Sequence, residues 1–482
     1  MKFKLIFSIL GLLMVLNGLF MLLCLPWAVY YGENLLPISV SGASVITVGL
    51  LMFWLFRRQT NLEELSGREG YLIVALGWVV MAIVGTLPYL LSGAIPSITD
   101  AFFETMSGLT TTGASILTDI EALPKNILIW RSLTQWIGGM GIIVLTVALL
   151  PMIGVGGMQM FIAESPGISP DKIKPRIRQT AVRLWLIYVG FTIAETILLM
   201  FGGMNLFDAL NHSLTTMATG GFSTYNASMI GQSAYIQYVV IVFMFIAGVN
   251  FTLSYFALKF KFDKVWANEE FKAYLTTTLI FIAITTIGIY SVTDLGLENS
   301  FRDGAFQVVS ILTTTGFVSA DYTSWTPGLT ILFFFIMFLG ASAGSTAGGV
   351  KIVRHVVLLK NSFLEMKRLL HPSAIIPVRL NGRAVAPSVT YHVLAFIMLY
   401  LTIYVLGTIA VGLTGLDLIS SLGAVATSLG NIGPGFGKLG PLDNFSAIPA
   451  ITKWILSFLM LIGRLELFTI LILFTGYFWR KI

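Results

Sequence analysis

DAFFETMSGLTTTGAS, Asp100–Ser115, is an amphipathic segment too short to cross a membrane, and it ends in a Thr/Gly turn. The same build recurs as DALNHSLTTMATGGFS at Asp208–Ser223, DGAFQVVSILTTTGFV at Asp303–Val318 and DLISSLGAVATSLGNIG at Asp417–Gly433. Aligned on Gly113, Gly220, Gly316 and Gly430, the opening Asp falls 13, 12, 13 and 13 residues upstream. An internal repeat of this kind decides the fold before any other reading. It implies one chain that builds a four-sided ring of backbone carbonyls, the device that takes over from water around an alkali cation.

Composition sets the solvent. The chain has 482 residues, 56% hydrophobic and 11% charged, against roughly 25% charged in a soluble globular protein. The deficit covers the whole length, so the chain reads as a polytopic, all-α membrane protein with no extramembrane domain. The net charge of +6 sits in a few short loops, which fits a topology signal better than nucleic-acid binding. These loops carry Arg57, Arg58 and Arg68; Lys172, Lys174, Arg176 and Arg178; Lys259, Lys261 and Lys264; Lys351 through Arg383; and Arg480 with Lys481. The opposite loops carry Glu33, Asp119, Glu121, Asp294, Glu298 and Asp321. The excess of Lys and Arg puts the first set, and both termini, in the cytoplasm. The single Cys24 allows neither a disulfide nor a cysteine metal cluster within one chain. Met1–Leu25 reads as a retained first helix: it is too long for a signal-peptide core, and no small-x-small cleavage site follows it.

A span needs about 20 apolar residues. Ten candidates follow: Phe3–Tyr30, Leu35–Phe56, Tyr71–Leu91, Ile127–Pro151, Val182–Phe201, Tyr235–Phe256, Tyr274–Val292, Leu329 to about Leu359, Val389–Gly412 and Ile451–Phe478. After a two-helix preface at 1–68, the rest form four units of helix, short half-helix, turn and helix, at 69–151, 152–262, 263–372 and 373–482. The half-helices enter from the outer face, with Asp100, Asp208, Asp303 and Asp417 as candidate N-caps. Their C-termini, each carrying roughly half a negative charge, point toward mid-membrane and favour a cation there. Four unrelated re-entrant caps are the bland alternative. Irregular backbone at this depth, however, is tolerated only where it is buried or lines water.

In each turn a glycine takes positive φ without steric cost and lets the preceding carbonyls face one axis. The candidate K⁺ ligands are the carbonyls of Thr111 and Thr112, Ala218 and Thr219, Thr314 and Thr315, and Ser428 and Leu429, ahead of Gly113, Gly220, Gly316 and Gly430. Carbonyl rings of this kind suit K⁺.

With LTTTGAS, MATGGFST, LTTTGF and LGNIGPGFG in equivalent places, and with WIGGMGIIVL (Trp136–Leu145) and GVGGMQM (Gly154–Met160), the chain resembles the Trk/Ktr/HKT potassium transporters. The two extra N-terminal helices make it most similar to the bacterial TrkH/TrkG branch. The resemblance covers essentially the whole chain. It implies potassium uptake across the bacterial cytoplasmic membrane, as a channel or as an ion-coupled symporter. It also implies a homodimer and a separate cytosolic, nucleotide-binding regulatory subunit of the RCK type, for which Lys351–Arg383 is a candidate docking region. Plant members with Ser at the first filter glycine carry Na⁺, so Gly113 implies K⁺ preference. Leu429 departs from the Thr of the other turns, so the fourfold symmetry is expected to be approximate.

The eighth span is interrupted by GASAGSTAGG, Gly340–Gly349. Its first eleven residues rise only about 16 Å, so the small-residue run falls near mid-membrane. One GxxxG usually means close helix packing. A continuous run of small residues is better read as an unwound loop lining a cavity. The resemblance makes it an intramembrane gating loop, with Gly344, Ser345, Thr346, Gly348 and Gly349 as gate residues. Arg464 lies mid-span, at a cost of about 2.5–3.5 kcal/mol, and so needs a partner. Glu466 points elsewhere on the helix; Ser345 or Thr346 of the loop, or a neighbouring helix, are the candidates. His212 on a half-helix reads as hydrogen-bonded, and Arg131 as snorkelling near an outer helix end.

Two other functions are weighed. A secondary carrier with broken helices usually shows two inverted repeats, whereas this chain shows four direct ones. A membrane enzyme would need a catalytic set, and the sequence holds no HExxH, no intramembrane carboxylate pair and no phosphate loop. No organic cofactor is expected. The partners expected are K⁺ and the lipid bilayer.

Overall fold

In lipid each segment must pair its own backbone polar groups, which leaves helices as the economical solution. The computed structural model describes residues 1–57, 67–153, 177–374 and 376–480, and it is helical almost throughout. Gly154–Met160 and the basic residues Arg58, Lys172, Lys174, Arg176 and Lys481 lie outside the described residues. Among the described residues, six helices are long and apolar enough to span a membrane: Phe3–Tyr30, Leu36–Phe56, Arg68–Ser92, Ala181–Phe201, Glu269–Val292 and Pro387–Gly412. Two more spans are bent pairs, Ala234–Ala247 with Phe251–Leu258 at 111° and Ala450–Arg464 with Leu467–Phe474 at 115°.

The first two spans pack with their backbones almost touching. A Cβ on Gly11 would lie 2.6 Å from the Gly49 carbonyl oxygen, and a Cβ on Gly49 equally near that of Gly11. Small residues at such crossings are what lets helices approach closely in lipid.

Behind this pair, each unit has an unbroken outer helix, a short pore helix and a broken inner helix. The pore helices are Ile98–Leu109, Leu206–Met217, Leu297–Leu312 and Leu418–Gly430. One inner-helix break was expected, in the eighth span. It is present, as Pro327–Ile336, an irregular segment, then Ile352–Leu370. The other three inner helices break too. Lys125–Ile153 leaves helical geometry at Gly141 (φ 69°, ψ 135°). The sixth span restarts at Asn250, whose Oδ1 accepts from Thr252 N at 2.8 Å as a fresh N-cap. The tenth turns at Glu466 (φ 56°).

The N-cap expectation needs correction at three of four positions. Ser97 caps the first pore helix and accepts from Asp100 N; Asn205 caps the second and accepts from Asp208 N. Both Asp residues therefore sit three places inside the helix, the reciprocal position of a capping box. Gly296 starts the third helix, which leaves Asp303 in its interior. Only Asp417 is itself a cap, accepting from Ser420 N at 3.1 Å.

Candidate functional site

All four pore helices end alike. The N–H groups of Thr111, Thr219, Thr314 and Asn431 bond back three residues, to Gly108, Thr216, Ile311 and Ser428, at 2.9, 2.8, 3.0 and 3.4 Å. The next N–H groups, on Thr112, Gly220, Thr315 and Ile432, bond back five, to Ser107, Thr215, Ser310 and Thr427, at 2.9, 2.9, 2.8 and 3.0 Å. This double closure is the Schellman motif, which demands a left-handed residue at its hinge. The hinge residues are Thr111, Thr219, Thr314 and Asn431, with φ of 53, 53, 57 and 53°. Left-handed geometry is unusual for a β-branched residue and costs of order 1–3 kcal/mol where it occurs. Two residues on, Gly113, Gly221, Gly316 and Gly433 also have positive φ, at 83, 75, 80 and 106°.

This geometry corrects the register expected for two turns. The second turn is Thr219-Gly220-Gly221: its hinge is Thr219, and Ala218 belongs to the αR helix cap. The fourth is Asn431-Ile432-Gly433: Ser428, Leu429 and Gly430 are the last residues of the pore helix. Aligning on the first available glycine slipped the second turn by one residue and the fourth by three. The first and third turns, Thr111-Thr112-Gly113 and Thr314-Thr315-Gly316, keep their register.

In the corrected register the turns close into a cycle. A Cβ on Gly113 would lie 2.2 Å from the Gly220 carbonyl oxygen, on Gly221 2.0 Å from that of Thr315, on Gly316 1.9 Å from that of Ile432, and on Gly433 2.8 Å from that of Thr112. Each repeat touches the next, and the last touches the first. Thr111, Thr112, Thr219, Thr314, Thr315, Asn431 and Ile432 are fully buried. Buried carbonyls normally have a donor. Of the carbonyls of these four three-residue turns, only that of Gly220 receives one among the described residues, from Gln135 Nε2 at 2.6 Å. The site is a buried ring rich in main-chain oxygens without protein donors.

Polar side chains brace the ring from behind. Glu104 and Arg131 are buried and paired at 2.7 Å. The Glu104 carboxylate also accepts from Ser115 Oγ and Ile116 N, both at 2.9 Å, and so anchors the extended segment leaving the first turn. Arg131 Nη1 donates to the Ser223 carbonyl at 2.9 Å, and its guanidinium lies 3.5 Å from the centre of the Phe222 ring. Arg131 does not snorkel; it ties the first repeat to the second. His212 occupies the place of Glu104 in the second repeat, its ring nitrogens 2.8 Å from the Asp208 carbonyl and 2.9 Å from Ser223 Oγ. Gln135 and Asn431 complete the brace: Asn431 Nδ2 donates to Thr112 Oγ1 at 3.0 Å and to the Met460 carbonyl at 2.9 Å.

The Gly340–Gly349 segment lies directly against this ring. Gly348 N donates to Thr314 Oγ1 at 2.7 Å, and Thr346 Oγ1 donates to the carbonyl of Met217, the last residue of the second pore helix, at 3.0 Å. Gly344 and Gly349 take positive φ, 74 and 65°. Ser345 Oγ turns inward to the Ser342 carbonyl at 2.6 Å. The second repeat holds the near end: Asn250 Nδ2 donates to Ala343 O at 2.7 Å, and Phe251 N to Gly344 O at 3.1 Å. Arg464 reaches across from the fourth repeat. Its Nη1 donates to Thr346 O at 2.7 Å, and its Nη2 to Gly139 O at 2.8 Å and to Gly138 O. Glu466 pairs with Arg354 instead. A cavity of about 160 Å³ opens against the segment, lined by Lys351, Arg464, Glu466, Trp78 and Phe251 among others.

Comparison with known proteins bears on this arrangement. Residues 41–481 match the TrkH family model, described as a cation transport protein. The chain is 41% identical over 488 residues to the Trk system potassium uptake protein TrkH of Salmonella typhimurium (strain LT2), with all of both chains covered. It is 34% identical over 433 residues to the Trk system potassium uptake protein TrkG of Escherichia coli (strain K12), covering 89% of this chain and 88% of the other. The crystal structure of the potassium transporter TrkH from Vibrio parahaemolyticus superposes with a TM-score of 0.89 at 37% identity, over 100% of both chains.

Proposed function

The chain belongs to the TrkH family of cation transport proteins, and from that premise we propose that it takes up potassium ions through the ring of turns, gated by the loop below. The K⁺ ligands are carbonyls of Thr111–Gly113, Thr219–Gly221, Thr314–Gly316 and Asn431–Gly433, which replace the hydration shell of the ion. The four pore-helix C-termini add their negative dipole ends. The observation that carries this reading is the set of buried turn carbonyls without protein donors, since a cation is what such oxygens lack.

Gly340–Gly349 is the gate, with Gly344 and Gly349 as its bends, Ser345 bracing it internally, and Thr346 and Gly348 as its contacts to the ring. Arg464 latches it shut. The protein sits in the bacterial cytoplasmic membrane with both termini inside. It works as a homodimer, and an RCK-type nucleotide-binding partner in the cytosol releases the latch. The test is cation flux into vesicles of purified protein, comparing K⁺, Rb⁺ and Na⁺, with Gly113→Ser alongside. K⁺ and Rb⁺ should exceed Na⁺ in the parent, and the variant should lose that margin. Flux indifferent to ion identity in the parent would remove the reading.

A further inference from the structure

The second repeat holds a carboxyl group that the pore and gate do not use. Glu195 lies on the outer helix Ala181–Phe201, six residues or about 9 Å from its end. It is fully buried, and neither carboxyl oxygen has a hydrogen-bond partner among the described residues. Other buried acids differ. Glu104 meets Arg131 and two further donors, and Asp208 accepts from Thr224 Oγ1 at 2.6 Å, from Tyr225 Oη at 2.8 Å and from Asn205 Nδ2 at 2.6 Å.

Among the described residues, the elements around Glu195 supply no counter-charge. Four of them pack against its helix: Lys125–Ile153, the second pore helix, Ala234–Ala247 and Phe251–Leu258. On the first, Arg131 is committed to Glu104 and Ser223, and Lys125 stands over the Phe207 ring. On the pore helix, His212 bridges Asp208 O and Ser223, and Asp208 is held as described. The remaining groups are Tyr235, Tyr238 and Tyr255, none of them a cation at any pH. On its own helix, Arg183 is exposed twelve residues away, and Tyr188 donates to Trp136 O at 3.0 Å.

The hydroxyls near Glu195 already donate to backbone carbonyls. Thr216 faces it, and its hydroxyl hydrogen goes to His212 O at 2.8 Å. Thr192, about one turn back on the same helix, and Thr196, the next residue, spend theirs on Tyr188 O at 2.9 Å and Thr192 O at 2.8 Å. The negative end of the second pore helix lies beside it as well. A bare carboxylate here would face only oxygens, and an isolated ion in such a place neutralises instead.

We propose that Glu195 is an intramembrane proton-binding site, held as the neutral acid, with its O–H directed to Thr216 Oγ1. The proton completes a chain from Glu195 to the hydroxyl of Thr216, three residues before the Thr219–Gly221 turn, and from there to the His212 carbonyl. Releasing it would place a charge behind that turn and force the Thr216 hydroxyl off its helix.

The experiment is infrared difference spectroscopy of the full-length protein in lipid vesicles at neutral pH, parent minus Glu195→Gln. The expected result is a carboxylic-acid C=O band present only in the parent, with no matching loss of carboxylate bands. Loss of the paired carboxylate bands in the variant would overturn the proposal. So would a Glu195→Gln protein that no longer elutes as a folded species. A neutral amide of the same shape replaces a neutral acid far better than it replaces an ion.

Discussion

Arg464 on the fourth inner helix donates to the main-chain oxygen of Thr346, in a loop belonging to the third repeat, at 2.7 Å. The same guanidinium reaches Gly138 O and Gly139 O of the first repeat. One side chain thus fastens three repeats together just below the ring. Hydrogen bonds to a charged group are worth about 1.5–3 kcal/mol each.

Replacing Arg464 with Gln removes the charge and most of these bonds. The loop should then open more often, and K⁺ flux into vesicles should rise about tenfold or more, one to two such bonds converted at about 1.4 kcal/mol per decade. Unchanged flux from a variant that elutes and melts like the parent would show that the latch is not there.

Thr314 tests the link between ring and loop. Thr314→Val keeps the shape but strands Gly348 N, a buried donor, at about 1–3 kcal/mol. The variant should pass more K⁺ in the absence of any cytosolic partner. A basal flux equal to the parent's would uncouple the two features.

The fourth turn separates the two possible registers. A Cβ on Gly433 meets the Thr112 carbonyl at 2.8 Å at a φ of 106°, whereas one on Gly430 meets first the flexible end of Ile432 at 2.9 Å. Gly433→Ala should lower the K⁺ to Na⁺ flux ratio more than Gly430→Ala does. The reverse order would restore Gly430 as the filter residue. Among the four hinge-plus-two glycines, Gly316→Ala should be the harshest, since its added carbon would sit 1.9 Å from the Ile432 oxygen.

Glu104 and Arg131 should behave as a unit. Breaking a buried pair leaves an uncompensated charge, at about 3–5 kcal/mol. Glu104→Gln alone should lower the melting temperature in detergent markedly, and adding Arg131→Met should recover part of the loss. A double variant that melts at the sum of the single losses would mean the two groups are energetically independent.

Much of this was readable in the residues. The four pore segments announce themselves by amphipathic runs ending in Thr and Gly, and the break after Leu339 by an unbroken row of small residues. The register of the second and fourth turns was not readable. Each offers two glycines, and the shared element is the left-handed residue two places earlier, which is Thr in three turns against its own propensity. The breaks at Gly141, Asn250 and Glu466 were missed for a related reason: one glycine or one polar residue in an apolar helix reads as packing. The Glu104–Arg131 pair spans 27 residues and two elements, so neither position hints at the other. Arg464 was legible because an arginine at mid-membrane demands an explanation.

The closed cycle of turns carries a direction. Gly113 leans on the second repeat, Gly221 on the third, Gly316 on the fourth and Gly433 back on the first. Each turn is closed by its own helix end but packs against its successor, so the finished ring includes contacts made by the last quarter of the chain. A bulky residue at one glycine is then a blow struck against the following quarter, and its damage should surface one step around the ring from where it was written.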